Sequence, residues 1–130
     1  MGYWGKGDGY PRLTVLDSTH PAAVRTIEAH VDLRCTLFLV SSKSGTTTEP
    51  LSFFRYFWQR LGRMTSTPGH HFAAITDPGT PLVNLAHERK FRRVFLATPD
   101  VGGRYSALTL FGLVPASLVG VDVHRLLDRA

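Results

Sequence analysis

Thr36-Leu37-Phe38-Leu39-Val40-Ser41-Ser42-Lys43-Ser44-Gly45-Thr46-Thr47-Thr48-Glu49-Pro50-Leu51 decides the fold. Residues 36–40 are a continuous apolar run, the pattern of a strand buried on both faces. From Ser41 to Pro50 the chain turns small and polar, with six hydroxyl residues around one Lys and one Gly. From Leu51 to Leu61 a helical period takes over. Leu51, Phe54, Trp58 and Leu61 form one stripe, Phe53 and Phe57 a neighbouring one, and Ser52, Arg55, Gln59 and Arg63 the wet side. This is a strand, a polar loop and a helix in direct succession.

The same alternation repeats outward. Downstream, His71–Thr76 reads as a strand and Asp77-Pro78-Gly79 as a turn. Thr80 and Pro81 open a helix to about Arg89, and Phe91–Ala97 holds a further strand. A loop from Thr98 to Arg104 leads to a helical stretch from about Ser106, which Pro115 is expected to interrupt. Val121–Leu127 closes with a short helix. Upstream, Leu13–Leu16 reads as a short strand, Asp17-Ser18-Thr19 as a cap and Ala22–Val31 as a helix striped by Ala23, Ile27 and Val31. The order βαβαβαβ, then helices, predicts an α/β fold: a parallel sheet of about four strands with helices on both faces. Ligands on such sheets sit beyond the strand C-termini. Three loops are thereby singled out: Asp17–Thr19, Ser41–Glu49 and Thr98–Arg104.

Composition narrows the function classes. In 130 residues, 43% are hydrophobic and 19% charged, a globular balance for about one domain. No apolar run reaches the ~20 residues of a membrane span. Cys35 is the sole cysteine, which excludes an internal disulfide framework and Cys₄ zinc sites and points to the cytoplasm. The formal charge of +5 suits an anionic partner. The basic residues are scattered, apart from Arg89-Lys90 and Arg92-Arg93, and no nucleic-acid motif accompanies them.

Ser41–Glu49 carries the strongest chemistry. A helix N-terminus offers free N–H groups and partial positive charge, and hydroxyls with an ammonium complete a phosphate-binding loop. The Walker pattern is absent. The second candidate is Asp100-Val101-Gly102-Gly103-Arg104-Tyr105-Ser106. There a Gly pair permits close backbone approach or positive φ, and Arg104 supplies a permanent cation for a phosphate or a developing oxyanion. Both loops also admit plainer readings, a capped polar loop and a glycine turn. The six histidines follow no metal spacing. Gly5-Lys6-Gly7-Asp8-Gly9 follows no strand and is set aside. Glu49 reads as a dipole partner rather than a base, and Phe53–Trp58 as core or interface.

Ser42-Lys43-Ser44-Gly45-Thr46-Thr47-Thr48-Glu49-Pro50 resembles the phosphate-binding signature of the glucose-6-phosphate isomerase family. Val101-Gly102-Gly103-Arg104-Tyr105-Ser106 resembles that family's second signature, and Thr76-Asp77-Pro78-Gly79 lies between them in matching order. The similarity runs from about Leu13 to Asp122 and looks closest to the transaldolase-fused bacterial form. It implies a partial αβα sandwich of the sugar-isomerase (SIS) type over residues 13–130, after a Gly-rich arm over residues 1–12. It also implies a hexose 6-phosphate substrate bound by Ser42, Lys43 (through its backbone), Ser44 and Thr47. Gly102 and Gly103 then form the substrate loop and Arg104 stabilises an enediolate, with no cofactor and no metal. The family's first Gly-rich strand motif, its Glu base, its ring-opening His and its C-terminal Lys have no matching positions here. The resemblance therefore implies a segment of an isomerase that binds sugar phosphate without turning it over. It would associate with itself or with the rest of the enzyme, and with neither nucleic acid nor membrane. A phosphosugar-sensing module is the rival reading.

Overall fold

A computed structural model describes residues 9–130, so most of the arm expected over residues 1–12 lies outside the described residues. The described residues divide into two compact units, residues 16–99 and residues 100–130 together with residues 9–15.

In the first unit, α1 (Pro21–His30), β1 (Phe38–Ser41), α2 (Thr48–Gly62), β2 (Phe72–Thr76), α3 (Pro81–Glu88) and β3 (Arg93–Leu96) alternate along the chain. The sheet is parallel, in the order β1-β2-β3, with Phe38 opposite Phe72 and Ala74 opposite Val94. Among the described residues it has three strands, not the four expected. Leu13–Leu16 joins no ladder of this sheet, and Val15 is 61% exposed. A short apolar run becomes a strand only where a neighbour supplies backbone partners.

Central β2 is buried along its whole length. Phe72 and Ala74, with Phe38, Val40 and Val94 beside them, pack on Phe54, Phe57 and Leu61 of α2, Leu82 and Ala86 of α3 and Ile27 of α1. The helices of this unit therefore flank one face of the sheet. Right-handed crossovers explain this, because two successive connections stepping the same way along a sheet fall on the same side. The other face carries Leu39, Ala73, Ile75 and Phe95.

The stripe of α2 differs from the expected one. Phe54, Phe57 and Leu61 are buried, while Leu51 and Trp58 lie at its margin. Ring packing sets this choice. Phe57 stacks on Phe38 at 4.6 Å, and Phe72 lies 5.2–5.8 Å from Phe38, Phe54, Trp58 and Phe91. Gly69 is demanded by close approach: a Cβ there would lie 2.0 Å from the Arg89 carbonyl oxygen at the end of α3.

Helix α1 begins at Pro21, so His20 is its cap, with Nδ1 accepting from the Ala22 N–H, rather than Asp17–Thr19. Its Glu28 reaches α2, accepting from the Tyr56 hydroxyl at 2.6 Å and from Arg60 Nε. The Tyr56 hydrogen bond above all, with help from the Arg60 guanidinium, holds the Glu28 carboxyl below its ordinary 4.5, against the opposing effect of burial. A carboxyl depressed on folding contributes stability above its unfolded pKa, and that share is lost as pH falls through the folded value. Glu28→Gln is therefore expected to lower the melting temperature at pH 7 and to flatten the loss of stability below pH 4.5. Thermal melts at pH 7, 5, 4 and 3 check this. Parallel curves for the two proteins would assign the acid sensitivity elsewhere.

The second unit holds a 3₁₀ turn (Gly103–Leu108), α4 (Leu110–Leu118) and α5 (Val123–Leu127). Pro115 lies inside α4 instead of ending it. Its missing N–H leaves the Phe111 carbonyl without a helical donor, and the helix runs on, with Val119 N–H donating to the Pro115 carbonyl at 3.3 Å.

Candidate phosphate-binding loop

The parallel ladder does not stop where the strands end. Ser42 N–H donates to the Ile75 carbonyl at 3.0 Å, and Asp77 N–H donates to the Lys43 carbonyl at 3.3 Å. Residues 42 and 43 are thereby fixed at the C-terminal edge of the sheet, and α2 begins only five residues later. Between them the chain must reverse, and Gly45 does so with φ +68°. A Cβ at Gly45 would lie 2.7 Å from Thr80 Cβ and 3.0 Å from the Leu82 nitrogen, so glycine is required for fit as well as for φ.

Ser42 is the only hydroxyl of the loop buried among the described residues, 5% exposed. Its Oγ accepts from Gly45 N–H at 3.1 Å and shares a hydrogen bond with Thr47 Oγ1 at 2.8 Å. Ser44 Oγ accepts from Thr46 N–H at 3.2 Å and shares a hydrogen bond with Thr46 Oγ1 at 2.9 Å. Each pair has two hydroxyl protons and uses one internally, so each keeps one for an external acceptor. Among the described residues, the N–H groups of Lys43, Ser44, Thr47, Thr48 and Glu49 have no acceptor. Ser44, Thr46, Thr47 and Thr48 are exposed. The loop is thus a concentration of donors at the N-terminus of a fifteen-residue helix, the arrangement that suits a multiply charged oxyanion.

Lys43 is turned differently from its neighbours. Its Nζ donates to Asp77 Oδ2 at 2.5 Å and to the Pro99 carbonyl at 3.1 Å, so its ammonium is committed to protein acceptors. Its backbone N–H belongs to the donor set. Sequence reasoning does not single out Thr46 and Asp77 as site residues, although a hydroxyl two residues from Ser44 and an acid at the end of the next strand are the available signals. Glu49 lies exposed in the first turn of α2, as a dipole partner would.

Gly102, Gly103 and Arg104 lie in the other unit, where Gly103 and Arg104 open the 3₁₀ turn. Neither glycine has a positive φ, so the conformational freedom expected of the pair is unused. A side chain at Gly103 would meet nothing within 4 Å, and Arg104 is exposed. Among the described residues no three His, Cys, Asp or Glu side chains gather as a metal site would require, and no helix is long and apolar enough to cross a membrane.

The chain has relatives among known proteins. Glucose-6-phosphate isomerase of Thermosynechococcus vestitus is 37% identical over 125 residues, 93% of this chain and 24% of its own length. That of Leptospira biflexa is 43% identical over 94 residues, 70% of this chain and 21% of its own. The chain is similar in sequence to one segment of the glucose-6-phosphate isomerases. It spans about a quarter of the length of the curated relatives it matches. No protein-family profile matches it. Among solved structures it superposes on a glucose-6-phosphate isomerase from Chlamydia trachomatis with a TM-score of 0.69 and 31% identity, over 76% of this chain and 19% of that one. It also superposes on a hypothetical protein of Thermus thermophilus with a TM-score of 0.81 and 33% identity, over 87% of this chain and 28% of that one. The isomerase relationship and the parallel α/β fold thus rest on sequence and on structure together.

Proposed function

We propose that this chain supplies the phosphate-holding part of an aldose–ketose isomerase that interconverts glucose 6-phosphate and fructose 6-phosphate, within a sugar-isomerase (SIS) type of domain. The observation that carries this reading is the donor set of residues 42–49: two hydroxyl protons and five backbone N–H groups at the start of α2. The substrate is held by its phosphate, which leaves the sugar end to extend away from the helix. Isomerisation then moves a proton between C2 and C1 through a cis-enediol. Arg104 stabilises the negative charge that develops on the oxygens, with Gly102 and Gly103 leaving room beside it.

A proton at C2 needs a base within hydrogen-bond reach. Glu49 sits at the phosphate end, and Asp100 is an exposed carboxylate ahead of a glycine pair. Neither is suited to the task. The isolated chain is therefore expected to bind inorganic phosphate and to show no isomerase turnover. Two measurements test this. Titration of the ¹⁵N-labelled chain with inorganic phosphate should shift amides of residues 42–49, and a coupled fructose 6-phosphate to glucose 6-phosphate assay should stay at background. Turnover abolished by Asp100→Asn or Glu49→Gln would place a base on this chain. Phosphate shifts confined to other residues would remove the cradle from the reading.

A further inference from the structure

Lys43 is the only ammonium in the loop, yet it is not offered to a ligand. Its Nζ lies 2.5 Å from Asp77 Oδ2 and 3.1 Å from the Pro99 carbonyl oxygen. Its own carbonyl accepts from Asp77 N–H at 3.3 Å and from Thr76 Oγ1 at 3.4 Å, and Thr76 Oγ1 is hydrogen-bonded in turn to Thr80 Oγ1 at 2.7 Å. Thr80 is the residue against which Gly45 packs. Asp77 thus grips Lys43 at both ends, by backbone and by side chain. The second carboxylate oxygen of Asp77 is buried and without a partner. The ammonium fixed beside the other oxygen is the counter-charge that compensates the burial of this carboxylate.

We propose that Asp77 is a positioning residue for the phosphate loop, acting through Lys43. It diverts the ammonium from the ligand and uses it to tie the end of β1 to the ends of β2 and β3, reaching the latter through the Pro99 carbonyl. The ligand phosphate is then met by N–H groups and hydroxyls at directed positions and not by a mobile point charge. This fits the geometry of the loop, whose reversal at Gly45 is braced by Thr80 and has no slack of its own. The proposal rests on the phosphate reading of residues 42–49 for its purpose, but the strap itself is a property of the unliganded chain.

The test is heteronuclear NMR on the full 130-residue chain, with inorganic phosphate as the probe. In the unaltered protein the Lys43 ammonium protons should be slowed enough in exchange to give a ¹H–¹⁵Nζ signal, which disappears in Asp77→Asn. Amide exchange at Gly45 and Thr46 should rise about tenfold in Asp77→Asn and also in Lys43→Met, which breaks the same bond from the other side. Phosphate should shift the amides of residues 42–49 while leaving the Lys43 Nζ signal in place. In Asp77→Asn the released ammonium should make phosphate binding more salt-dependent. An Nζ signal that moves with phosphate in the unaltered protein makes Lys43 a direct ligand and overturns the proposal. So does unchanged exchange at Gly45 and Thr46 in both variants. If phosphate shifts no amide of the loop, the phosphate reading fails, while the signal of Lys43 and the exchange rates still decide whether the strap exists.

Discussion

Ser42, Ser44 and Thr47 changed together to alanine are expected to weaken phosphate binding by at least about 100-fold, corresponding to roughly 2.7 kcal/mol. A hydrogen bond to a charged group contributes about 1.5–3 kcal/mol, and the triple change removes the free proton of the Ser42–Thr47 pair together with the Ser44 hydroxyl that orients Thr46. It also removes the acceptor that holds Gly45 N–H, so the five free N–H groups lose part of their fixed orientation. Single variants should rank accordingly. Ser42→Ala should cost more than Ser44→Ala, because Ser42 is buried and joins two loop residues while Ser44 is exposed and joins one. Isothermal titration with inorganic phosphate at fixed ionic strength measures both comparisons. Equal affinity in the triple variant would mean that the anion binds elsewhere.

Phe72→Ala is the second large effect. Phe72 has no exposed surface and is ringed by Phe38, Phe54, Trp58 and Phe91. Truncation of a buried Phe costs about 3–5 kcal/mol, because the lost transfer energy is joined by a cavity that surrounding rings fill poorly. Domains of this size have only about 5–15 kcal/mol in total. The variant is expected to melt more than about 10 °C lower, or to be largely unfolded at 25 °C. Leu37→Ala, at a site 43% exposed, serves as the control and should change little. A circular-dichroism melt within about 3 °C of the unaltered protein would show that the aromatic cluster is not the centre of the core.

Much of this arrangement is legible in the residues themselves. The apolar run at 36–40 and the helical period from Leu51 place a loop at a sheet edge, and the hydroxyl content of that loop marks it as rich in hydrogen-bond donors. What escapes is information that no single segment holds. Leu13–Leu16 has the composition of a strand, but ladder partners come from elsewhere in the chain. Helical spacing puts Phe57 on a side stripe, and only the position of Phe38 across the interface makes it central. The orientation of Lys43 follows from an acid 34 residues away, which local pattern does not reveal. Asp77 stands in the sequence as part of a turn, without a role of its own. For Arg104 the sequence supplies the residue type and its glycine neighbours, and the catalytic part proposed for it rests on the family likeness alone.

The bonds that continue the ladder past the strand ends also impose a schedule. Residues 42–49 leave the ribosome well before Thr76 and Asp77, and the contact between Lys43 and Asp77 closes a span of 34 residues. Closure over such a distance costs chain entropy that only the later packing of β2 offsets. Until β2 is made and docked, the loop has neither Ile75 nor Asp77 to shape it. The nascent chain therefore carries residues 42–49 in full before the loop possesses its geometry, and the proposed site is born late, with the sheet.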